Sequence, residues 1–155
     1  MNASPALIDF LKGWESCNLT PYLDAGDRWT VGWGHLLPAS DMSGPITQDA
    51  ADQMLAVDVA GVCRGLDMYV SSDPSQQQCD ALISFAYNEG VRATANSTLL
   101  LHVNASEWAD AAYQFPKWIY VHDAKTGVLI ASAGLLKRRL AEQAIFSNGD
   151  YSGRP

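Results

Sequence analysis

Residues 15 to 35 constrain the fold more than any other part of the chain, because they join a helix end to a β-hairpin. The stretch reads ESCNLTPYLDAGDRWTVGWGH. Its second half has the period of a strand, since apolar residues alternate there with smaller or polar ones: Trp29, Val31 and Trp33. Residues 25–27, Ala-Gly-Asp, are typical of a turn. The pattern therefore predicts a hairpin in which Asp24 pairs with Arg28.

The residues before this stretch predict a helix that ends at Glu15. Ser4 followed by Pro5 is typical of a helix start, because serine caps free backbone N–H groups and proline suits the first helical position. Apolar residues then recur at helical spacing: Leu7, Phe10, Leu11 and Trp14. Because positions three and four apart share a face, Glu15 is expected to end the helix against apolar neighbours.

The rest of the chain is predicted to be mostly helical. Cap residues and apolar spacing predict helix starts at Thr47, Asp73 and Ser106, a short helix around 99–103 and a last helix that ends near Gly149. The helix from Thr47 is expected to run to about Met68, the next one to end near Gly90, and residues 36–46 to form a loop. Residues 117–134 show no clear period, although 125–127 are typical of a turn.

Composition excludes several classes of protein. The 155 residues favour a single domain with a core large enough to need no disulfide or metal. A net charge of −7 argues against nucleic acid as a partner, because phosphate binding needs a basic surface. The three cysteines are odd in number and irregular in spacing, which favours free thiols. No apolar run is long enough for a transmembrane helix, and the first residues do not resemble a signal peptide.

Two acids in the stretch are candidates for glycoside chemistry. Cleavage of a glycosidic bond needs one carboxylic acid to protonate the leaving oxygen and a second carboxylate across the sugar. Glu15, on an apolar edge, suits the acid, and Asp24, beside a polar turn, suits the ionised partner. Thr30 shares a face with Asp24 only if the predicted register is correct. Taken alone, without a family resemblance, the two acids are more often a helix-end residue and a turn residue than a catalytic pair.

The same residues resemble the catalytic segment of phage-type lysozymes, the endolysins that cut bacterial peptidoglycan. The family pattern is a Glu, an Asp nine residues on and a Thr six further, inside a strand of the form Thr-(Val/Ile)-Gly-x-Gly-His. Glu15, Asp24, Thr30 and His35 match it position by position. Three later segments also resemble the family: ITQDAADQMLAVDVA, QQQCDALISFAYNEG and LLKRRLAEQAIF.

This resemblance implies an α+β, lysozyme-like fold formed by a single domain over residues 1–155. A small β-containing lobe is expected over about 15–46, a linking helix over 47–70 and a helical lobe over 71–155, with a glycan-binding cleft between the lobes. The implied reaction is hydrolysis of the β-1,4 bond between N-acetylmuramic acid and N-acetylglucosamine. Glu15 would donate the proton, and Asp24 and Thr30 would hold the attacking water. No cofactor and no metal are implied.

The resemblance also suggests that Arg138 or Arg139 reaches Glu15 from the last helix, although a solvated basic patch explains these arginines equally well, and Arg138 is also assigned to substrate binding. Asn88 is a candidate to bind sugar, with hydrogen bonding to the backbone near the helix end as the alternative. His35 is interpreted as structural, with Asp58 as its predicted partner. The other two histidines, His102 and His122, are predicted to lack ligand-like neighbours, and no spacing in the sequence suggests zinc. Trp29 and Trp33 are expected to belong to the core rather than to a sugar platform.

Two other functions fit the same residues. A lytic transglycosylase would need one acid and no activated water, and a non-catalytic glycan-binding or virion module could use the same fold. The expected partner is bacterial peptidoglycan, and the chain is expected to be a monomer without nucleic acid or a membrane anchor. The expected location is the host cytoplasm, with access to the wall through a membrane lesion.

Overall fold

The computed structural model describes residues 1–24, 26–38, 44–123 and 126–155. Seven α-helices lie in these ranges, with a short 3-10 helix at Phe115–Lys117: α1 Pro5–Trp14, α2 Gln48–Asp67, α3 Gln76–Glu89, α4 Val91–Ala95, α5 Thr98–Asn104, α6 Trp108–Ala112 and α7 Ala133–Asn148. Five strands accompany them: β1 Asn18–Leu23, β2 Trp29–Gly32, β3 His35–Leu36, β4 Tyr120–His122 and β5 Leu129–Ala131. This confirms the predicted α+β class. Among the described residues, no helix is both long and apolar enough to cross a membrane.

The predicted capping residues delimit the long helices. Ser4 and Thr47 accept hydrogen bonds from backbone N–H groups in the first turns of α1 and α2. Glu15 follows the last residue of α1, and its N–H donates to the carbonyl of Leu11 at 2.9 Å. Gly149 ends α7 in the left-handed conformation that glycine adopts readily. These positions confirm the predicted limits of three helices.

Two predicted helix starts are wrong. The N-cap of α3 is Ser75 rather than Asp73, because Ser75 and Gln78 form a reciprocal capping box. The residue before α6 is Glu107, while Ser106 adopts a left-handed backbone with φ of 59°. The five-residue helix α4 was not predicted at all.

The first sheet has the order β1-β2-β3 and is antiparallel throughout. Tyr22 lies opposite Thr30, and the N–H of Asp24 donates to the carbonyl of Arg28 at 2.9 Å. This pairing confirms the register predicted for the hairpin. The predicted turn residue Ala25 and part of the predicted loop over 36–46 lie outside the described residues.

The core surrounds α3, which packs against α7. Its consecutive buried residues include Leu82, Ile83 and Phe85, each with no exposed surface. The Phe85 ring makes edge-on contacts with the rings of Phe115 and Trp118, which lie 5.6 and 5.2 Å away. Such contacts add to the free energy gained from burying aromatic surface. All three cysteines are free, as predicted, and Cys63 is buried in this core.

A second hairpin, β4–β5, occupies the part of the sequence that showed no period. Its strands pair antiparallel, with Val121 opposite Ile130. All six strand residues are exposed, so neither face carries the alternation that identifies a half-buried strand. The hairpin leads directly into α7.

Candidate active site

Glu15 is held by an arginine from the far end of the chain. Arg138 Nη1 donates to Glu15 Oε1 at 2.7 Å, and the Glu15 side chain keeps only 24% of its surface exposed. The sequence predicted that Arg138 or Arg139 would reach Glu15, and Arg138 is the one that does. Because Arg138 is itself buried, it fixes the orientation of the Glu15 carboxyl group.

Behind this pair lies a carboxylate with no exposed surface, Glu142. Its Oε1 accepts from Ser84 Oγ at 2.8 Å, from Arg138 Nε at 3.3 Å and from Arg139 Nη2 at 3.2 Å. Its Oε2 lies 3.0 Å from Arg139 Nε. Burial raises the pKa of Glu142 and lowers that of Arg139, and the attraction between their charges opposes both shifts. Glu142 thereby orients two arginines at once.

Arg139 carries this network to the cleft. Its Nη2 donates to Asn88 Oδ1 at 2.8 Å, and its Nη1 donates to Glu89 Oε1 at 3.0 Å. Asn88 lies at the end of α3, where its side chain helps to line the cleft. Its amide oxygen is therefore taken by Arg139, which leaves the amide NH₂ as the group that Asn88 can offer to a sugar.

Asp24 is held by its own turn. Its Oδ1 accepts from the N–H groups of Gly26 and Arg28 at 2.8 and 3.0 Å. Its Oδ2 accepts from Arg28 Nε at 3.1 Å and from Arg28 Nη2 at 2.8 Å. The hydrogen bonds from Arg28 and then from Gly26 hold the pKa of Asp24 below its usual range, since they stabilise the ionised form. Asp24 is therefore ionised at neutral pH.

Thr30 lies beneath the same turn, with only 3% of its surface exposed. Its hydroxyl donates to the carbonyl of Arg28 at 3.1 Å. Asp24 and Thr30 thus both contact Arg28, which links the two residues that the sequence predicted to lie on one face. Neither is among the described residues that line the cleft.

The cleft itself is a groove of about 490 Å³. Its described lining combines acids, cations and aromatic side chains: Glu15, Arg28, Trp33, Gly34, His35, Leu36, Asp58, Val62, Tyr87 and Asn88. The Tyr87 hydroxyl donates to the carbonyl of Trp33 at 2.9 Å, and burial raises the pKa of Tyr87. Tyr87 is therefore an uncharged hydrogen-bonding group on the helical side of the cleft.

Two further contacts join the hairpin to α2. His35 Nδ1 lies 2.9 Å from Asp58 Oδ2, which confirms the predicted partner. Trp33 Nε1 donates to Asp52 Oδ1 at 2.8 Å, while Lys12 Nζ donates to Asp52 Oδ2 at 2.6 Å. Asp52 therefore links α1, the hairpin and α2. The sequence does not identify Asp52, because a lone acid on a helix has no pattern that separates it from a solvated one.

A larger groove, of about 690 Å³, lies between the first nine residues and α2. Its described lining is mainly apolar and contains none of the predicted site residues. The smaller groove therefore carries the candidate chemistry, because a glycosidic bond needs a proton donor and polar contacts rather than an apolar wall.

The prediction that His102 has no ligand-like neighbour is wrong. His102 Nδ1 lies 2.6 Å from Glu107 Oε2, and ligand atoms of His102, Glu107 and Asp110 all lie within 4.8 Å of one another. Glu107 and Asp110 are exposed to solvent. The hydrogen bond between His102 and Glu107 accounts for the proximity of these two groups.

Comparisons with known proteins agree on a family. The model for the family described as "Phage lysozyme" matches residues 12–142. The endolysin of Bacillus phage PZA is 37% identical over 153 residues, which cover 96% of this chain and 56% of that protein. The chain thus spans just over half the length of that relative. The endolysin of Acyrthosiphon pisum secondary endosymbiont phage 1 is 34% identical, over 96% of this chain and 99% of that protein.

A solved structure extends the similarity to the fold. The muramidase domain of SpmX from Asticaccaulis excentricus superposes with a TM-score of 0.86 at 28% identity. The match covers 95% of this chain and 98% of that domain. The α+β arrangement is therefore lysozyme-like, as the resemblance in the sequence implied.

Proposed function

Because the chain belongs to the phage lysozyme family, we propose that it hydrolyses the glycan strands of bacterial peptidoglycan. The bond is the β-1,4 linkage between N-acetylmuramic acid and N-acetylglucosamine, and its cleavage lyses the cell. The observation that carries the proposal is the placement of Glu15 in the wall of the cleft, where Arg138 orients its carboxyl group.

In this mechanism Glu15 protonates the bridging oxygen as the bond breaks and an oxocarbenium-like state develops. Asp24 is the carboxylate that holds a water molecule on the other face of the sugar, with Thr30 as its partner. Support for this role comes from the lowered pKa of Asp24, which keeps it ionised while Glu15 acts as the acid. Asn88 binds the sugar through its amide NH₂, and Arg138 acts on the substrate through Glu15.

A substitution of the acid tests the proposal. We expect Glu15→Gln to lower the rate of release of soluble fragments from purified peptidoglycan by about 10²–10⁴-fold, because the glutamine cannot donate a proton. Circular dichroism should show an unchanged fold. Glu107→Gln removes the same charge from an exposed acid and should retain activity. Full activity in folded Glu15→Gln would refute the assignment.

A lytic transglycosylase is a second candidate, and one observation favours it. Glu15 lines the cleft, whereas Asp24 does not and already accepts four hydrogen bonds. Transglycosylation uses one acid and no activated water, so a cleft lined by Glu15 without Asp24 is sufficient for it. Mass spectrometry separates the two chemistries, because hydrolysis adds one water to the product and transglycosylation leaves an anhydro ring. Anhydro products would replace our first proposal with the second.

The setting that we propose is a lytic phage cycle, in which the enzyme reaches the wall as a monomer through a membrane lesion. Lysis after co-expression with a lesion-forming protein, and its absence without one, would support that route. Light scattering of the purified chain tests the monomer. Lysis without any lesion would instead indicate an export route of its own.

A further inference from the structure

The hydrogen bonds of Asp24 are in conflict with the water-holding role proposed for it. A carboxylate offers about four acceptor sites, two on each oxygen. In this structure two backbone N–H groups occupy Oδ1, and two N–H groups of the Arg28 guanidinium occupy Oδ2. A water molecule that donates to Asp24 must therefore displace one of these donors.

Arg28 is the donor that can leave. The backbone N–H groups belong to the turn itself, so their loss would require the hairpin to unfold locally. The Arg28 side chain is 64% exposed, and exposed ion pairs contribute little to stability. When Arg28 moves away, Oδ2 becomes free while Oδ1 remains anchored to the turn.

The position of Arg28 indicates what could draw it away. It lines the cleft together with Glu15, so it lies in the groove in which the proposed glycan substrate would bind. Among the described residues of that lining, the other basic side chain is His35, which is already paired with Asp58. Arg28 is therefore the cation in this part of the cleft that can be offered to a negatively charged ligand.

We propose that Arg28 is a specificity-determining residue that recognises a carboxylate on the glycan and, in moving to it, releases Asp24 Oδ2 to hold water. This proposal rests on the hydrolytic function proposed above. Muramyl units carry such carboxylates, either on the lactyl group or on an attached peptide. A planar guanidinium binds a carboxylate through two parallel N–H···O bonds, so one carboxylate replaces the other with little change in hydrogen bonding.

A glycan without carboxylates offers Arg28 no such replacement. Arg28 then remains hydrogen-bonded to Asp24 Oδ2, so no water molecule can bind to that oxygen. Turnover is therefore slow even when the glycan binds. The net charge of −7 makes this contact useful, because the rest of the chain does not attract an anionic polymer. Selectivity for charged glycans would therefore reside in one side chain.

Matched substrates test the proposal. Muramyl glycan chains, with and without their peptides, are each compared with the same chains after their carboxylates have been converted to amides. For the unmodified enzyme we expect kcat/KM for fragment release to fall at least tenfold on amidation. Because a peptide is attached through the lactyl carboxyl group, that carboxylate is free only in peptide-free chains. A fall only in peptide-bearing chains therefore assigns the recognised carboxylate to the peptide, a fall only in peptide-free chains assigns it to the lactyl group, and a fall in both means that Arg28 accepts either.

Substitutions at Arg28 supply the control. In Arg28→Gln no guanidinium occupies Asp24 Oδ2, so we expect the amidated and unmodified forms of each substrate to be cleaved at similar rates. Arg28→Lys keeps the charge and should retain part of the preference. Three results would overturn the proposal: equal cleavage of both forms by the unmodified enzyme, an unchanged preference in Arg28→Gln, or no preference in Arg28→Lys together with full activity. If the unmodified enzyme cleaved none of these glycan substrates, the result would instead refute the proposed hydrolytic function.

Discussion

Replacement of Glu142 by glutamine is the sharpest test of how the side of the cleft that carries Glu15 is stabilised. The substitution keeps the shape of the side chain and removes its charge. In the folded protein Glu142 has no exposed surface and faces two buried arginines, Arg138 and Arg139. The variant would leave two guanidinium groups with less compensating charge and turn an amide NH₂ toward them or toward Ser84.

The expected loss in the free energy of unfolding depends on which carboxylates still pair with Arg138 and Arg139 in the variant. Removing one partner of a buried ion pair typically costs about 3–5 kcal/mol. Arg138 retains Glu15, and Arg139 retains Glu89, so neither cation is left without a carboxylate. We therefore expect a loss at the lower end, about 3 kcal/mol in the free energy of unfolding.

Urea denaturation at neutral pH measures this loss. With a slope of about 2 kcal/mol per M, the midpoint should fall by about 1.5 M. Glu107→Gln is the matched control, because Glu107 is an exposed acid paired with His102, and its loss should stay within about 0.5 kcal/mol. A loss below about 1 kcal/mol for Glu142→Gln would refute the reasoning, since it would mean that the buried carboxylate is not needed to balance the arginines.

Two further predictions concern the contacts between the hairpin and α2. Asp52→Asn should be less stable than the unmodified protein at pH 7 in thermal unfolding, and the difference should shrink as the pH falls from about 4 to about 2. The sign follows because hydrogen bonds from Lys12, Trp33 and Gln48 lower the pKa of Asp52 to about 2 in the folded protein. Its stabilising contribution is therefore present above the unfolded pKa of about 3.9 and is lost as the carboxylate protonates. A stability difference that stays constant with pH would contradict this argument. Gly32→Ala should cost about 1–3 kcal/mol, because Gly32 has φ of 63° and an added Cβ would lie 3.1 Å from the Cβ of Ala51. Gly61→Ala, in the interior of α2 with ordinary space for a Cβ, should instead stabilise the protein by about 0.5–1 kcal/mol, and equal effects at the two sites would contradict the argument.

Helix limits were predictable where the capping residue was supported by its neighbours or by its own backbone freedom. Ser4 directly precedes Pro5, Thr47 precedes Asp49 in the first turn, and Gly149 adopts a left-handed backbone, so each acts as the sequence indicated. Before α3 the sequence offers two patterns of the same kind, one starting at Asp73 and one at Ser75. Propensity cannot separate them, because both place a glutamine three residues later. The hydrogen bonds of the folded chain select Ser75.

The elements that were not predicted, α4 and the β4–β5 hairpin, have no periodic pattern in the sequence. Helix α4 has only five residues, fewer than two full turns. The strands of the β4–β5 hairpin are exposed on both faces, so apolar residues occur consecutively instead of in alternation. Periodicity arises from burial on one face, and it disappears where that asymmetry is absent.

The two proposed catalytic carboxylates differ in how their surroundings arise from the sequence. The contacts of Asp24 come from Gly26 and Arg28, at most four residues away, so the turn pattern alone indicated its ionised state. The contact of Glu15 comes from Arg138, 123 residues away, and the sequence left the choice between two adjacent arginines open. Long-range pairing depends on how α7 packs, which no local pattern encodes.

This difference makes the two halves of the site separable by mutation. Substitutions in α7 that disturb Arg138 should change the orientation of Glu15 without altering the turn that holds Asp24. Substitutions at Arg28 should change the hydrogen bonds of Asp24 and leave the buried network around Glu142 intact, because the hydrogen bonds of the two groups share no residue. In the proposed mechanism, the packing of the helical part therefore determines the orientation of the acid, whereas the hairpin determines the position of the water. A substrate-dependent step can then act on the hairpin alone, since freeing Asp24 requires one exposed side chain to move and no change in the core.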